Sequence, residues 1–178
     1  MKSPATDLDL NRVEKAFQKR IPGFRGPLDV SKTPQGQSNP TYIISSPSGN
    51  YVLRRKPDGV LLPSAHAVER EYRVMTALSN TELPVPQTIF LCEDPDEIGT
   101  VFFVMEHVPG RVFLDPRLHE LTCQEREVVY DEMNLRLAQL HCLDPEKLGL
   151  RDYGKTGNYF ARQFSRWSRQ YDASATEQ

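Results

Sequence analysis

Apolar positions along this chain change period several times, and each change predicts an element. Leu10, Val13 and Phe17 recur at helical spacing between Asp7 and about Lys19, and Pro22-Gly23 closes that amphipathic stretch. Leu28 to Lys32 reads as a short strand. Thr41 to Ser45 and Tyr51 to Arg55 are rich in β-branched and aromatic residues, which predicts a hairpin turning at Ser48-Gly49-Asn50. Beyond the turn at Pro57-Asp58-Gly59, a second helix is expected with Ser64 as its N-cap and Val68, Tyr72, Met75 and Leu78 on its apolar face. Pro84-Val85-Pro86 is an extended connector, because each proline holds its predecessor out of the helical region. Ile89 to Cys92 is a strand, and Thr100 to Glu106 is a near-continuous apolar strand expected in the middle of the sheet. Thr122-Cys123-Gln124-Glu125 is a capping box that starts a long helix, whose Val129, Met133, Leu137 and Leu140 should form a buried seam. Asn158 to Tyr171 is a last helix with Phe160, Phe164, Trp167 and Tyr171 on one face.

One residue breaks this pattern. At about 100° per residue, Glu71 falls on the apolar face of the second helix, whereas Glu69, Arg70 and Arg73 point elsewhere. A carboxylate there needs a cation, since an unpaired buried charge is costly, and Arg54 on the second hairpin strand is the natural partner. The other reading is a Glu71 that snorkels from the edge of the stripe. Ahead of the hairpin, Gly36 lets a backbone approach an anion, and Ser38 and Asn39 offer donors, so this loop and Arg54 make a candidate phosphate cradle. The same residues also suit an ordinary surface hairpin. Arg162, Arg166 and Arg169 lie within about 60° of each other on the last helix. They either meet a phosphate-bearing substrate or form a solvated basic face.

Composition narrows the class. The 178 residues, 38% hydrophobic and 26% charged, suit a globular chain with one modest core. A net charge of −2 argues against a nucleic-acid or anionic-membrane partner. Cys92, Cys123 and Cys142 lack paired metal-ligand spacing and suit free thiols in a reducing compartment. No apolar run approaches a membrane span and Met1-Lys2-Ser3-Pro4 opens no signal peptide, so an intracellular location, cytoplasm or organelle matrix, is expected.

The runs Gly36-Gln37-Ser38-Asn39-Pro40-Thr41-Tyr42, Tyr51-Val52-Leu53-Arg54-Arg55-Lys56-Pro57, Leu61-Leu62-Pro63-Ser64-Ala65-His66 and Arg70-Glu71-Tyr72-Arg73-Val74-Met75 together resemble the aminoglycoside phosphotransferase and choline kinase-type family. Within it they are similar to the kinase-like domain of acyl-CoA dehydrogenase family members ten and eleven. The similarity runs on through Leu91-Cys92-Glu93-Asp94, Tyr130 and Leu140-His141 to Arg166-Trp167 and Gln170-Tyr171-Asp172-Ala173-Ser174.

This resemblance implies an α+β, protein kinase-like fold. Residues 1–106 would be a five-stranded antiparallel small lobe that binds nucleotide, and residues 107–178 the start of a helical large lobe, incomplete before the catalytic loop. It implies ATP and Mg2+ as cofactors and a small-molecule alcohol, with hydroxyacyl-CoA foremost, as phosphate acceptor. In such folds a strand cation paired to a helix glutamate holds the nucleotide phosphates, which assigns Arg54 and Glu71 together with Gly36, Ser38 and Asn39. Met105 would border the back of the purine pocket, and Glu106 and Val108 would offer backbone groups to adenine. Arg54 stands where the family usually has lysine, so a bidentate contact replaces a point charge. The family's His-Gly-Asp-type loop and its later metal-binding aspartate match nothing up to Gln178. Arg151-Asp152 looks like that loop, but Asn158 follows Asp152 by six positions, where the kinase pattern has about five. No catalytic residue and no metal ligand are therefore assigned. Three functions follow: the ATP-binding part of a small-molecule kinase, a non-catalytic product or pseudokinase that binds nucleotide or a partner, and an acyl-CoA dehydrogenase in name. The last would need a flavin-binding domain and its carboxylate, and nothing in these residues supplies either.

Overall fold

The computed structural model describes residues 7–34, 38–59, 66–155 and 157–174, and it builds a sheet from the stretches that alternate or run apolar in the sequence. In chain order the elements are α1 (Leu10–Arg20), β1 (Asp29–Lys32), β2 (Thr41–Ser46), β3 (Gly49–Arg55), α2 (Val68–Leu78), β4 (Thr88–Cys92), β5 (Phe102–Glu106), α3 (Cys123–His141) and α4 (Tyr159–Ser174). The chain divides into two compact units, Met1–Leu143 and Asp144–Gln178.

In the first unit the strands lie in the order β1-β2-β3-β5-β4, every neighbouring pair antiparallel. Alternation sends Tyr42 and Ile44 of β2 and Leu53 and Arg55 of β3 to one face. There α1 lays down Val13, Ala16 and Phe17, and Phe24, Val30, Phe90, Phe102 and Val104 complete the core. Phe17 meets the rings of Phe24, Tyr51 and Phe90 edge-on at centroid distances of 5.3, 5.5 and 5.8 Å. Phe103, one residue out of phase, faces the other way and packs on Tyr72 of α2 at 5.9 Å. β5 is thus buried on both faces and sits between β3 and β4, as its continuous apolar run requires.

Several details depart from expectation. Ser46 pairs with Gly49, so the hairpin loop is Pro47-Ser48, one position earlier than read. Gly49 is already strand, at a φ of 136° that favours glycine. Helix α1 begins at Leu10 with Asp9 as its cap, accepting from the Asn11 and Arg12 N–H groups at 3.0 and 3.3 Å. The expected Ser64 cap lies outside the described residues; α2 starts after Ala67, which makes no side-chain capping bond. The Thr122–Glu125 capping box of α3 is present, with both reciprocal bonds formed. Its expected buried seam is not. Met133 is 58% exposed and Leu137 51%, and no described residue of α3 is buried. Helical periodicity reports which positions are apolar, not whether a neighbour covers them; here Leu83 and Pro84 only edge a groove along that face. In the second unit, Phe160, Phe164, Trp167 and Tyr171 of α4 are likewise exposed. Cys92 is buried, Cys123 and Cys142 are exposed, and all three are free thiols. No helix among the described residues is long and apolar enough to cross a membrane.

Asp7, released from the helix, is drawn into the sheet. It accepts from the Tyr42 hydroxyl at 2.5 Å, from Lys32 at 3.1 Å and from Arg55 Nη2 at 3.0 Å. Arg55 is only 3% exposed and is forked onto Asp58 at 2.7 and 3.0 Å. Burial pushes the Asp7 carboxyl up, but the bonds from Tyr42, Lys32 and Arg55 outweigh it and hold the group well below the usual carboxylate range. Asp58 raises Arg55 further above its already high value.

The end of α1 is tied to the loop between β4 and β5 by Arg20, which donates to Glu97 at 2.7 Å and lowers that carboxyl to about 2. A depressed carboxylate contributes stability that is complete above its ordinary value of 4.5 and is lost as pH falls towards about 2. The stability difference between the natural chain and Glu97→Gln, measured by urea titration, is therefore expected to shrink steadily across that interval. A difference independent of pH would show that the Glu97 charge, paired with Arg20 and Lys19, contributes nothing.

Candidate functional site

Because Leu53 and Arg55 face α1, Arg54 between them must face α2. Register sets Arg54 opposite Thr41 on β2 and Phe103 on β5. Arg54 Nε donates to Glu71 Oε2, Nη2 donates to Glu71 Oε1 at 3.3 Å, and Nη1 donates to Thr41 Oγ1 at 2.9 Å. The structure therefore brings together the strand cation and the helix glutamate in a forked, charge-assisted pair. Glu71 does not snorkel from the stripe, and Glu69 turns instead to Lys56 at 2.9 Å. With 27% and 35% of their side chains exposed, Arg54 and Glu71 are shielded from bulk water yet open on one side.

Glu71 has a second partner. Asn39 Nδ2 donates to Glu71 Oε1 at 2.7 Å, while Asn39 Oδ1 lies 3.1 Å from His66 Nδ1. The Thr41 hydroxyl donates to the Asn39 carbonyl at 3.1 Å, which closes the network onto the strand. Asn39 is 3% exposed, so its amide is enclosed by these partners. Ser38 beside it is exposed, and Gly36 lies outside the described residues.

Met105 is half-buried on β5 opposite Val52 and Thr88, on the same face of the sheet as Arg54. The Glu106 N–H donates to the Gln87 carbonyl at 2.9 Å, so that N–H is already engaged within the lobe. Val108 follows in an exposed, irregular segment. Arg151 and Asp152 sit in the second unit, where Arg151 pairs with Glu146 at 3.5 Å, both exposed. Arg162 donates to the Lys155 carbonyl at 2.8 Å and Arg169 to the Ser165 carbonyl at 3.2 Å, while Arg166 lies over the Trp167 ring at 5.7 Å. Among the described residues no cluster of three or more His, Cys, Asp or Glu could hold a metal ion.

Two members of the network escape a reading of the sequence. Thr41 could have been found from the hairpin register, which sets it opposite Arg54. His66 has no local signal, because it reaches Asn39 from 27 positions away.

The model of the phosphotransferase enzyme family matches residues 29–178. Acyl-CoA dehydrogenase family member 10 of Mus musculus is 46% identical over 168 residues, covering 92% of this chain and 16% of that protein. Acyl-CoA dehydrogenase family member 11 of Gallus gallus is 45% identical over 171 residues, covering 94% of this chain and 22% of that protein. The chain thus spans between 16% and 22% of the length of these two relatives. A crystal structure named as an aminoglycoside phosphotransferase, from Ralstonia eutropha, matches with a TM-score of 0.79 and 45% identity, over 96% of this chain and 49% of that one.

Proposed function

The chain belongs to the phosphotransferase enzyme family and has its α+β, protein kinase-like fold, and on that premise we propose that its five-stranded lobe binds ATP for phosphate transfer to the hydroxyl of a small molecule. The Arg54–Glu71 pair carries this reading. Among the described residues, Glu71 and Thr41 engage three of the five guanidinium N–H groups, which leaves one on each Nη to meet phosphate oxygens. Glu71 and Thr41 thereby aim a planar cation, and phosphoryl-transfer proteins act chiefly by such positioning and charge. Gly36, Ser38 and Asn39 form the loop over the phosphates in this reading. Met105 borders the purine, and the Glu106 carbonyl and Val108 N–H meet its edge. Residues 1–106 are then the nucleotide lobe, and 107–178 the start of the helical one.

Magnesium would accompany ATP, but the described carboxylates nearest the site do not suit it: Glu71 is held by Arg54 and Asn39, and Glu69 by Lys56. The acceptor we propose is a hydroxyacyl-CoA, supported by the names of the acyl-CoA dehydrogenase relatives. An intracellular location accords with such a substrate.

Isothermal titration of the chain with ATP and with adenosine tests the phosphate contact. A charge-assisted hydrogen bond contributes about 1.5–3 kcal/mol. Arg54→Ala is therefore expected to weaken ATP binding about tenfold or more, with adenosine binding unchanged. Equal ATP affinities for the two proteins, or no ATP binding by the natural chain, would overturn the reading.

A further inference from the structure

We propose that Asn39 and His66 are positioning residues that act through Glu71 to hold Arg54 in its phosphate-binding pose, an inference that rests on the nucleotide reading above. The bond chemistry permits one arrangement of this chain. A carboxylate only accepts, so the Asn39 amide must turn its NH2 to Glu71 and its oxygen to His66, and His66 Nδ1 must then carry the proton. The 2.7 Å bond from Asn39 is the shorter of the two on Glu71 Oε1, the other being 3.3 Å from Arg54 Nη2. Asn39 thus fixes one oxygen and leaves Oε2 to the Arg54 Nε.

His66 makes the link mechanical as well as chemical. Its φ of 57° lies in the left-handed region that residues other than glycine seldom adopt, and it directly precedes Ala67, the uncapped entry to α2. The His66 carbonyl accepts from the Val68 N–H at 2.9 Å, so the residue that starts the helix backbone is the one whose ring is pinned to Asn39. Asn39 belongs to the loop ahead of β2, and Glu71 lies one turn into α2. Three separate segments are therefore stapled at a single buried amide, and loop, helix and strand cation must be in place together for the clamp to form. Asn39 serves the phosphates indirectly in this scheme, through Glu71.

The test is isothermal titration of ATP and adenosine into the natural chain, Asn39→Ala, His66→Ala, His66→Asn, Glu71→Ala and the Asn39→Ala/Glu71→Ala double variant, each checked for folding by circular dichroism. Asn39→Ala and His66→Ala are each expected to weaken ATP binding about three- to tenfold, less than the loss of a direct charge-assisted bond because both act through Glu71, and to leave adenosine unchanged. His66→Asn, which tolerates positive φ and keeps a donor, should restore most of the affinity. In the Glu71→Ala background, Asn39→Ala should add no further loss. Additive losses would place Asn39 directly on the phosphates and overturn the proposal, as would unchanged affinity in both single variants. If Asn39→Ala fails to fold, the His66 pair decides the matter. If the natural chain binds no ATP, the nucleotide reading fails instead. Amide exchange in the first turn of α2 then decides this one: faster exchange in His66→Ala upholds the staple, and unchanged exchange overturns it.

Discussion

Asp7→Asn combined with Asp58→Asn is expected to lower the free energy of unfolding by about 3–5 kcal/mol, the range for leaving a buried charge without its counter-ion. The cost falls on Arg55 rather than on the acids. Asp7 and Asp58 have 40% and 73% of their side chains exposed, whereas the Arg55 side chain is 3% exposed and lies on the core face of β3. Once both carboxylates are neutral, the guanidinium keeps the Tyr42 hydroxyl at 3.4 Å and the Lys56 carbonyl at 3.4 Å, but no negative charge. Asp7→Asn alone should cost much less, because the forked contact with Asp58 survives. Guanidinium chloride unfolding of the three proteins separates these cases. A double variant within about 1 kcal/mol of the natural chain would mean that Arg55 swings out to solvent, as an exposed pair would allow.

Phe17→Ala is expected to cost about 3–5 kcal/mol as well, for a different reason. Phe17 is fully buried, and three aromatic rings meet it edge-on, from the segment after α1, from β3 and from β4. Removing it opens a cavity bounded by a sheet, which cannot collapse by a simple shift of one helix. Val13 and Ala16 are the other buried residues of α1, so Phe17 is the largest buried side chain seating the helix on the sheet. The loss should appear in chemical unfolding together with reduced helical circular dichroism. A cost below about 1.5 kcal/mol would show that α1 is not part of the cooperative core.

The elements that could be read from the sequence are those whose signals are local. The β2–β3 hairpin, the α3 capping box and the place of Glu71 on an apolar stripe each depend on residues within about one or two turns of one another. What could not be read is decided across the chain. The helix read from Asp7 begins at Leu10 with Asp9 as its cap, while Asp7 is bonded to Tyr42, Lys32 and Arg55 from distant strands. Gly49 suggested the turn because glycine favours turns, yet strand pairing claims it and leaves the loop to Pro47-Ser48. The α3 seam was legible only as four apolar positions at helical spacing, while its exposure depends on neighbours that no helical period encodes. At the candidate site the same division holds. The charge pair was legible because one member was out of place on its helix, whereas the Asn39–His66 link joins two loops and has no pattern of its own.

The strand order β1-β2-β3-β5-β4 has a consequence for how the site comes into being. Three of its four ladders, β1–β2, β2–β3 and β4–β5, join strands that follow each other in sequence across short connections. The fourth, β3–β5, must close a loop that contains α2 and β4, so it carries the largest chain-closure entropy in the sheet. Arg54 sits on that ladder opposite Phe103, and Phe103 is the ring against which Tyr72 seats the helix of Glu71. The cation and its carboxylate are only 17 residues apart in the chain, yet the helix that carries Glu71 is seated on β5, so their final geometry waits on this closure, the kind of non-local step that slows folding. A meander of β1, β2 and β3, Arg54 included, could assemble before Glu71 arrives.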